Sequence, residues 1–427
     1  MIPSDEERRD ETFHPMGEAW QDELEELLEE TEYDSELGME MARDAQRLVA
    51  GELTEEEFYD EYHNAVVEEF GQDDRPMAEE IEAAREEGRL SDALSTFDLD
   101  DEESRREMMK KMGAGAAFLG LGAMATKENA DGEARSAVGE PSDGVAAAQE
   151  DDEDDVQWGM AIDLTHCDGC LSCVIACKEE HNLDQGANWM YILAYDDEDR
   201  EDPSLMVRPC QHCSDAPCEK VCPTTARHTR SKDGLVLTDY DICIGCRYCQ
   251  VACPYGVNYF QWGEPDVPQG EIPEYHIYDE RGQWVDSRPP RGVMGKCTMC
   301  PSRQDGMKGE DLIGTTACEV ACPPQIIKFG DLNDPDSDPR QLIDEVGGPA
   351  DDEPEKDSTY RLLEDVGTSP NVIYVGNEPG PNAEQIPQEE ARERGIETVV
   401  TYEELDLADD RRAEVLEDQT WDTGMST

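Results

Sequence analysis

Sixteen cysteines constrain this 427-residue chain more than any other feature, because all of them fall between Cys167 and Cys322 and none is left over. They form four groups of four. The first is Cys167, Cys170, Cys173 and Cys177, in "CDGCLSCVIAC". The second is Cys210, Cys213, Cys218 and Cys222, in "CQHCSDAPCEKVCP". The third is Cys243, Cys246, Cys249 and Cys253, in "CIGCRYCQVACPYG". The fourth is Cys297, Cys300, Cys318 and Cys322, where "CTMC" and "CEVACP" flank an insertion. Clumped triplets make poor disulfide staples, since they close only tiny loops. Zinc sites use two CxxC pairs a dozen or more residues apart. The fourth group alone has that spacing.

The third group is C-x2-C-x2-C-x3-C-P, the run by which bacterial ferredoxins hold iron–sulfur clusters with thiolates. Four complete groups imply four [4Fe-4S] centres, with groups one and four paired and groups two and three paired. The first three cysteines of a group are expected on a loop around one centre. The fourth is expected to open a short helix and reach the next centre, with a proline in that helix's first turn. Gly169 and Gly245 let backbone N–H groups approach sulfur. Lys232-Asp233-Gly234 reads as a turn between short strands. "WGMAIDLTHC" before group one and "QIIKFGDL" after group four read as partner strands.

Composition places the chain in an unusual milieu. It carries 105 acidic and 35 basic residues, a net charge of −70, far from ordinary usage. Nucleic acid is excluded as a partner, because phosphate binding needs a basic surface. The excess is uneven: 27 acidic and 15 basic residues lie between Gly159 and Gly330, and the flanks hold the rest. A halophile's protein with acidic flanks fits, its repulsion screened at high salt.

Around the cysteines, the chain divides by pattern. Residues 1–100 read as three or four acidic amphipathic helices. Trp20, Leu24, Leu27 and Leu28 share one face, and Thr54 with Glu57 forms a capping box. At 104–126, Ser104-Arg105-Arg106 precedes a 14-residue apolar run, Met112 to Ala125. This resembles a twin-arginine export signal and is too short to span a bilayer. Residues 127–156 read as a disordered linker, and 377–427 as an acidic tail, largely disordered, with a possible helix from Thr401. "GAGAAFLG", Gly113–Gly120, lacks the register of a dinucleotide loop. His212 is expected to tune a centre or be solvated rather than to ligate, and Trp189 and Trp262 to pack. Arg227, Arg230 and Lys232 are expected at a solvated hairpin tip or facing a partner.

The stretches "MAIDLTHCDGCLSCVIACKEEHN", "CQHCSDAPCEKVCPTTA", "DICIGCRYCQVACPYGVNYF" and "KCTMC…TACEVACPPQIIKFGDL", in this order, resemble the four-cluster iron–sulfur (beta) subunits of the dimethyl-sulfoxide-reductase and polysulfide-reductase family of molybdopterin oxidoreductases. The resemblance runs from about Trp158 to Gly376, including "YRLLEDVGTSPNVIYVG". It implies an α+β fold of two tandem pseudo-twofold ferredoxin-like units over 157–335, a family-like extension over 336–376, and acidic flanks. It also implies mixed ligand sets: Cys167, Cys170, Cys173 with Cys322; Cys297, Cys300, Cys318 with Cys177; Cys210, Cys213, Cys218 with Cys253; and Cys243, Cys246, Cys249 with Cys222. Two departures stand out. Lys178 sits where the other groups have proline, and Asp331–Ser358 reads as a polar loop.

The implied role is non-catalytic. The subunit would relay electrons in anaerobic respiration between a molybdopterin catalytic subunit and an integral-membrane quinone-binding anchor. It would be held at the membrane through a partner, on the outer face after export or on the cytoplasmic face. Two other readings keep less of this picture: a linker subunit in a hydrogenase or quinol-oxidising complex without molybdenum, and a structural-metal scaffold.

Overall fold

The computed structural model describes residues 13–75, 156–346 and 359–398, apart from positions 16, 185, 198, 199, 201 and 381. The twin-arginine-like segment, nearly all of the linker and the possible helix from Thr401 lie outside these residues.

Three helices come first among the described residues: α1 (Glu18–Glu29), α2 (Ser35–Val49) and α3 (Glu55–Phe70). Their ends are chemically fixed. Asp34 accepts the Leu37 N–H at 3.0 Å at the start of α2. Thr54 and Glu57 exchange hydrogen bonds at 3.2 and 3.0 Å at the start of α3, satisfying two donors that a helix N-terminus leaves open. Leu24 and Leu28 of α1 are fully buried with Met41, Ala42, Phe58 and Val66 of the other two helices, so the apolar stripes face one another.

The cysteine region is α+β. Strand β1 (Trp158–Asp163) leads to α4 (Ser172–His181), β2 (Tyr191–Asp196) and β3 (Ser204–Arg208). Then come α5 (Pro217–Lys220), β4 (Arg227–Thr229), β5 (Val236–Thr238), α6 (Tyr248–Val251) and β6 (Tyr259–Phe260). The chain continues through β7 (Met294–Gly295), α7 (Pro301–Gln304), α8 (Ala317–Val320), β8 (Ile327–Asp331) and α9 (Asp338–Val346). The last described elements are β9 (Thr359–Tyr360), β10 (Val372–Val375), β11 (Glu384–Gln385) and α10 (Gln388–Glu393).

The strands expected beside groups one and four do pair: β1 and β8 run antiparallel, with Met160 opposite Phe329. Parallel β10 joins the other edge of β1, giving the sheet order β8-β1-β10-β9. Its buried face presents Met160, Ile162, Phe329, Val372 and Tyr374 to the main core, which also holds Trp189, all nearly solvent-free. The hairpin around Lys232-Asp233-Gly234 is also present, with β4 antiparallel to β5.

Several expectations are corrected. The short helices begin at the third cysteine, not the fourth. Cys218, Cys249 and Cys318 lie inside α5, α6 and α8, and Cys222, Cys253 and Cys322 follow those helices. The proline after each fourth cysteine disfavours helical backbone at the residue before it, so it stops the helix rather than starting one. Lys178 replaces that proline in group one, and there α4 runs on through Cys177 to His181. The stretch from Asp331 is not all loop, since it contains α9. Nor is the chain past Gly376 all tail: β11 pairs with β2, and Ile386 and Ala391 are buried against Ala194.

The helical bundle docks on this same chain. Tyr248 Oη donates to Asp34 O at 2.6 Å, and Arg247 donates to Leu27 O at 2.9 Å. His14 lies buried, its Nε2 3.2 Å from Cys253 O. Lys220 pairs with Glu55 at 2.8 Å. Gly38 lets α2 pass the Tyr248 ring, which an added Cβ would meet at 2.6 Å.

Candidate metal centres

All sixteen cysteines lie among the described residues and none forms a disulfide. Twelve are buried; Cys170 is exposed, and Cys167, Cys218 and Cys243 are intermediate. The fold gathers them by mutual proximity. Burial raises the Cys167 thiol, as do the nearby Cys170 and Cys322, and Cys173 is pushed up to about 12 by burial and then by Cys167, Cys322 and Cys170. Burial, followed by Cys297, Cys318 and Cys300, holds Cys177 well above the ordinary thiol range. Cys213 is raised by burial and then by Cys210, Cys218 and Cys253. Cys246 is raised by burial and then by Cys249, Cys222 and Cys243. Each quartet thus takes three cysteines from one group and the last from another. We refer to them by the lent residue, as the Cys322, Cys177, Cys253 and Cys222 quartets.

Cysteines of one quartet act on those of the next, which links the four in series. Cys173 of the Cys322 quartet acts on Cys318 of the Cys177 quartet. Cys210 of the Cys253 quartet acts on Cys297 of the Cys177 quartet. Cys249 of the Cys222 quartet acts on Cys218 of the Cys253 quartet.

Two quartets visibly surround space. Cys210, Cys213, Cys218 and Cys253 line an empty volume of about 340 Å³. Cys222, Cys243, Cys246 and Cys249 line another of about 310 Å³. Among the described residues no three Cys, His, Asp or Glu side chains converge as a single ion requires. The donor chemistry fits a metal–sulfur core. Four thiols crowded together in a dry site resist losing their protons, and a bound cation removes that resistance, since a coordinating thiol is deprotonated outright.

Backbone donors complete the cradles. The N–H groups of Gly169 and Gly245 reach the sulfurs of Cys167 and Cys243. Both glycines have positive φ, 68° and 71°, and at Gly245 a Cβ would lie 2.1 Å from Gly292 O, so no other residue fits. Tyr248 N–H serves Cys246, Met299 N–H serves Cys297, and Val257 and Tyr255 N–H serve Cys253. Hydrogen bonds to cluster sulfurs are one determinant of reduction potential.

Several polar side chains behind the cysteines were not singled out from sequence. His181 Nε2 lies 3.4 Å from Cys300 Sγ, and its Nδ1 lies 2.8 Å from Asp286. Asp286 is itself buried and bonded by Ser302 Oγ at 2.6 Å and Thr298 Oγ1 at 3.2 Å. These groups come from three segments more than 100 positions apart at their widest. The sole sequence signal was that His181 sits one helical turn beyond Cys177.

Other residues depart from expectation. His212 is neither solvated nor turned to sulfur: its Nε2 lies 2.9 Å from Cys297 O and its Nδ1 accepts Val236 N–H at 3.1 Å. Trp189 packs as expected, buried and tilted against His181 with ring centres 4.9 Å apart, and Trp262 packs on Phe260 and Arg247 while staying 54% exposed. Arg227 and Arg230 are buried, not at a solvated tip. Arg230 is gripped by Asp233 at 2.5 Å and Asp305 at 2.9 Å. Lys232, partly exposed, pairs with Asp305 and Glu280, each at 2.7 Å.

Comparison with known proteins agrees with this chemistry. Residues 203–269 match a family model described as a 4Fe-4S dicluster domain. Residues 14–78 match one described as the N-terminal region of 4Fe-4S ferredoxin iron–sulfur binding, so the bundle has a precedent beside such domains. A Halobacterium salinarum protein named as an iron–sulfur subunit of dimethyl sulfoxide reductase is 37% identical over 52% of this chain and 80% of its own length. A selenate reductase subunit of Mesobacillus selenatarsenatis is 34% identical over 64% of this chain and 97% of its own. The arsenate respiratory reductase iron–sulfur subunit of a Shewanella species is 36% identical over 52% and 96%. The chain therefore belongs to the iron–sulfur electron-transfer subunits of the molybdopterin oxidoreductases and carries [4Fe-4S] clusters.

Proposed function

We propose that the four quartets are the ligand sets of four [4Fe-4S] clusters, and that the chain is a one-dimensional electron relay. Bound there, the clusters supply one-electron redox centres. The observation that carries the reading is the serial order Cys322, Cys177, Cys253, Cys222 of the quartets, each within electrostatic reach of the next. The residues of this chain exclude water, donate N–H groups to sulfur and fix the spacing. The interlocked β1–β8 and β4–β5 pairs support a reading as two tandem pseudo-twofold ferredoxin-like units over 157–335.

A relay needs a donor and an acceptor at its ends. The chain works with a catalytic subunit; by analogy with the selenate and arsenate reductase relatives, that subunit is a molybdopterin enzyme. An integral-membrane quinone-binding subunit is the proposed second partner. No helix among the described residues is long and apolar enough to cross a membrane, so attachment would run through that subunit. The Ser104-Arg105-Arg106 motif supports twin-arginine export and an outer-face location.

The test is anaerobic purification of the native complex from membranes. Molybdenum or tungsten in a co-purifying large subunit, with a hydrophobic third subunit, is the expected result. Full iron with neither metal would contradict the molybdopterin pairing.

A further inference from the structure

Arg227 opens β4 between two quartets and is 1% exposed. Its side chain helps line the hollow of the Cys222 quartet. Its Nη2 donates to Asn258 Oδ1 at 2.9 Å and lies 3.7 Å from Cys249 Sγ, while its backbone N–H reaches Cys222 Sγ at 3.4 Å. Its Nε and Nη1 are buried without any acceptor. No carboxylate among the described residues forms an ion pair with it. The negative groups that act on it are the cysteines: Cys249 first, then Cys218, Cys210 and Cys243.

A buried guanidinium without a counter-anion is strongly disfavoured. The counter-charge must therefore come from what the thiolates hold. The other cation lining that hollow, Arg247, is otherwise engaged: it is stacked 4.0 Å from both the Phe260 and Trp262 rings and donates to Leu27 O. The neighbouring hollow has its own cation, Lys296, whose Nζ is directed to the carbonyls of Val236 and Cys297. Arg247 leaves one buried N–H, its Nε, without an acceptor, whereas Arg227 leaves two and also reaches Cys249 Sγ.

We propose that Arg227 sets the reduction potentials of the two centres at this end of the relay, acting most strongly on the Cys222 quartet. The inference rests on reading the quartets as cluster sites. Uptake of one electron makes such a site one unit more negative, with no bond made or broken. A fixed positive charge in contact favours that state, so Arg227 raises the midpoint. The Cys253 quartet feels it through Cys218 and Cys210, but has Lys296 as well, so it depends on Arg227 less.

The experiment is a potentiometric titration of the intact complex, followed by electron paramagnetic resonance, with iron counted in every sample. Arg227→Gln should lower one midpoint by at least tenfold in its reduction equilibrium, about 59 mV for one electron. A second midpoint should fall less, and the other two should not move. Arg227→Lys should lie nearer to wild type. Asn258→Asp leaves Arg227 in place but cancels its charge, and should lower the same two midpoints even where Arg227→Gln fails to assemble. Unchanged midpoints in iron-replete Arg227→Gln or Asn258→Asp protein would overturn the proposal, as would a Lys variant shifted as far as the Gln variant. Wild-type protein without its iron would instead overturn the underlying cluster reading.

Discussion

At the residue scale, each quartet depends on one cysteine lent from a distant segment. Cys253 belongs in sequence with Cys243, Cys246 and Cys249, yet it stands with Cys210, Cys213 and Cys218. Cys253→Ser should therefore alter the same paramagnetic signal as Cys213→Ser, and leave the signal altered by Cys246→Ser intact. Charged pairs behind the ligands lock these segments. Glu180 accepts from Arg303 at 2.7 Å and Lys308 at 2.5 Å. Burial would raise its carboxyl, but those hydrogen bonds win and bring it down to about 2, from an ordinary 4.5. A depressed carboxylate contributes stability that is complete above its unfolded value and is lost as pH falls toward the folded one. The shift converts to about 3 kcal/mol, which solvent screening of this partly exposed pair lowers to on the order of 2 kcal/mol. Chemical denaturation should show Glu180→Gln less stable than wild type at neutral pH, with the gap closing between about pH 5 and pH 2.

At the element scale, much was legible and some was not, for identifiable reasons. The cysteine spacings, the flanking strands and the Thr54–Glu57 box carry their signals within a few residues, and the structure contains those strands and that box. Helix direction relative to the cysteines was misjudged because proline can either begin a helix or prevent one, and Pro223, Pro254 and Pro323 do the latter. The docking of β11 and α10 on β2 was invisible: two strand residues and one buried alanine leave no periodic pattern, and their partner lies nearly 200 positions away. The burial of Arg227, Arg230 and His181 was hidden for the same reason, since their partners are long-range. Lys178 is the informative exception: it was noted only as a departure from proline, and the helix that it permits runs on to His181. Lys178→Pro should cut α4 after Cys177 and displace Glu180 and His181. We expect a loss of about 3 kcal/mol or more, read as a lowered unfolding midpoint in iron-replete protein.

At the scale of the whole molecule, charge and cover dominate. A net charge of −70 on 427 residues repels itself at low ionic strength, where the Debye length reaches about 30 Å at 0.01 M against 3 Å at 1 M. Thermal unfolding should shift upward by several degrees between those salt concentrations, and more steeply than in a near-neutral relative. A flat response would mean that the acidic flanks are solvated independently of the fold. Cover comes from the N-terminal bundle, which lays Leu27, Asp34 and Gly38 over Arg247 and Tyr248 beside the Cys222 quartet. The far quartet is more open, with Cys170 exposed, so the two ends of the series meet their surroundings differently.

The central claim is that four quartets, each completed by a borrowed cysteine, hold four cubane clusters. Iron and acid-labile sulfide counted per copy of the anaerobically purified chain, with Mössbauer spectra on the same samples, test it most directly. About sixteen of each, in [4Fe-4S] form, are expected. Zinc in place of iron, or about eight iron atoms with two quartets left as free thiols, would contradict it.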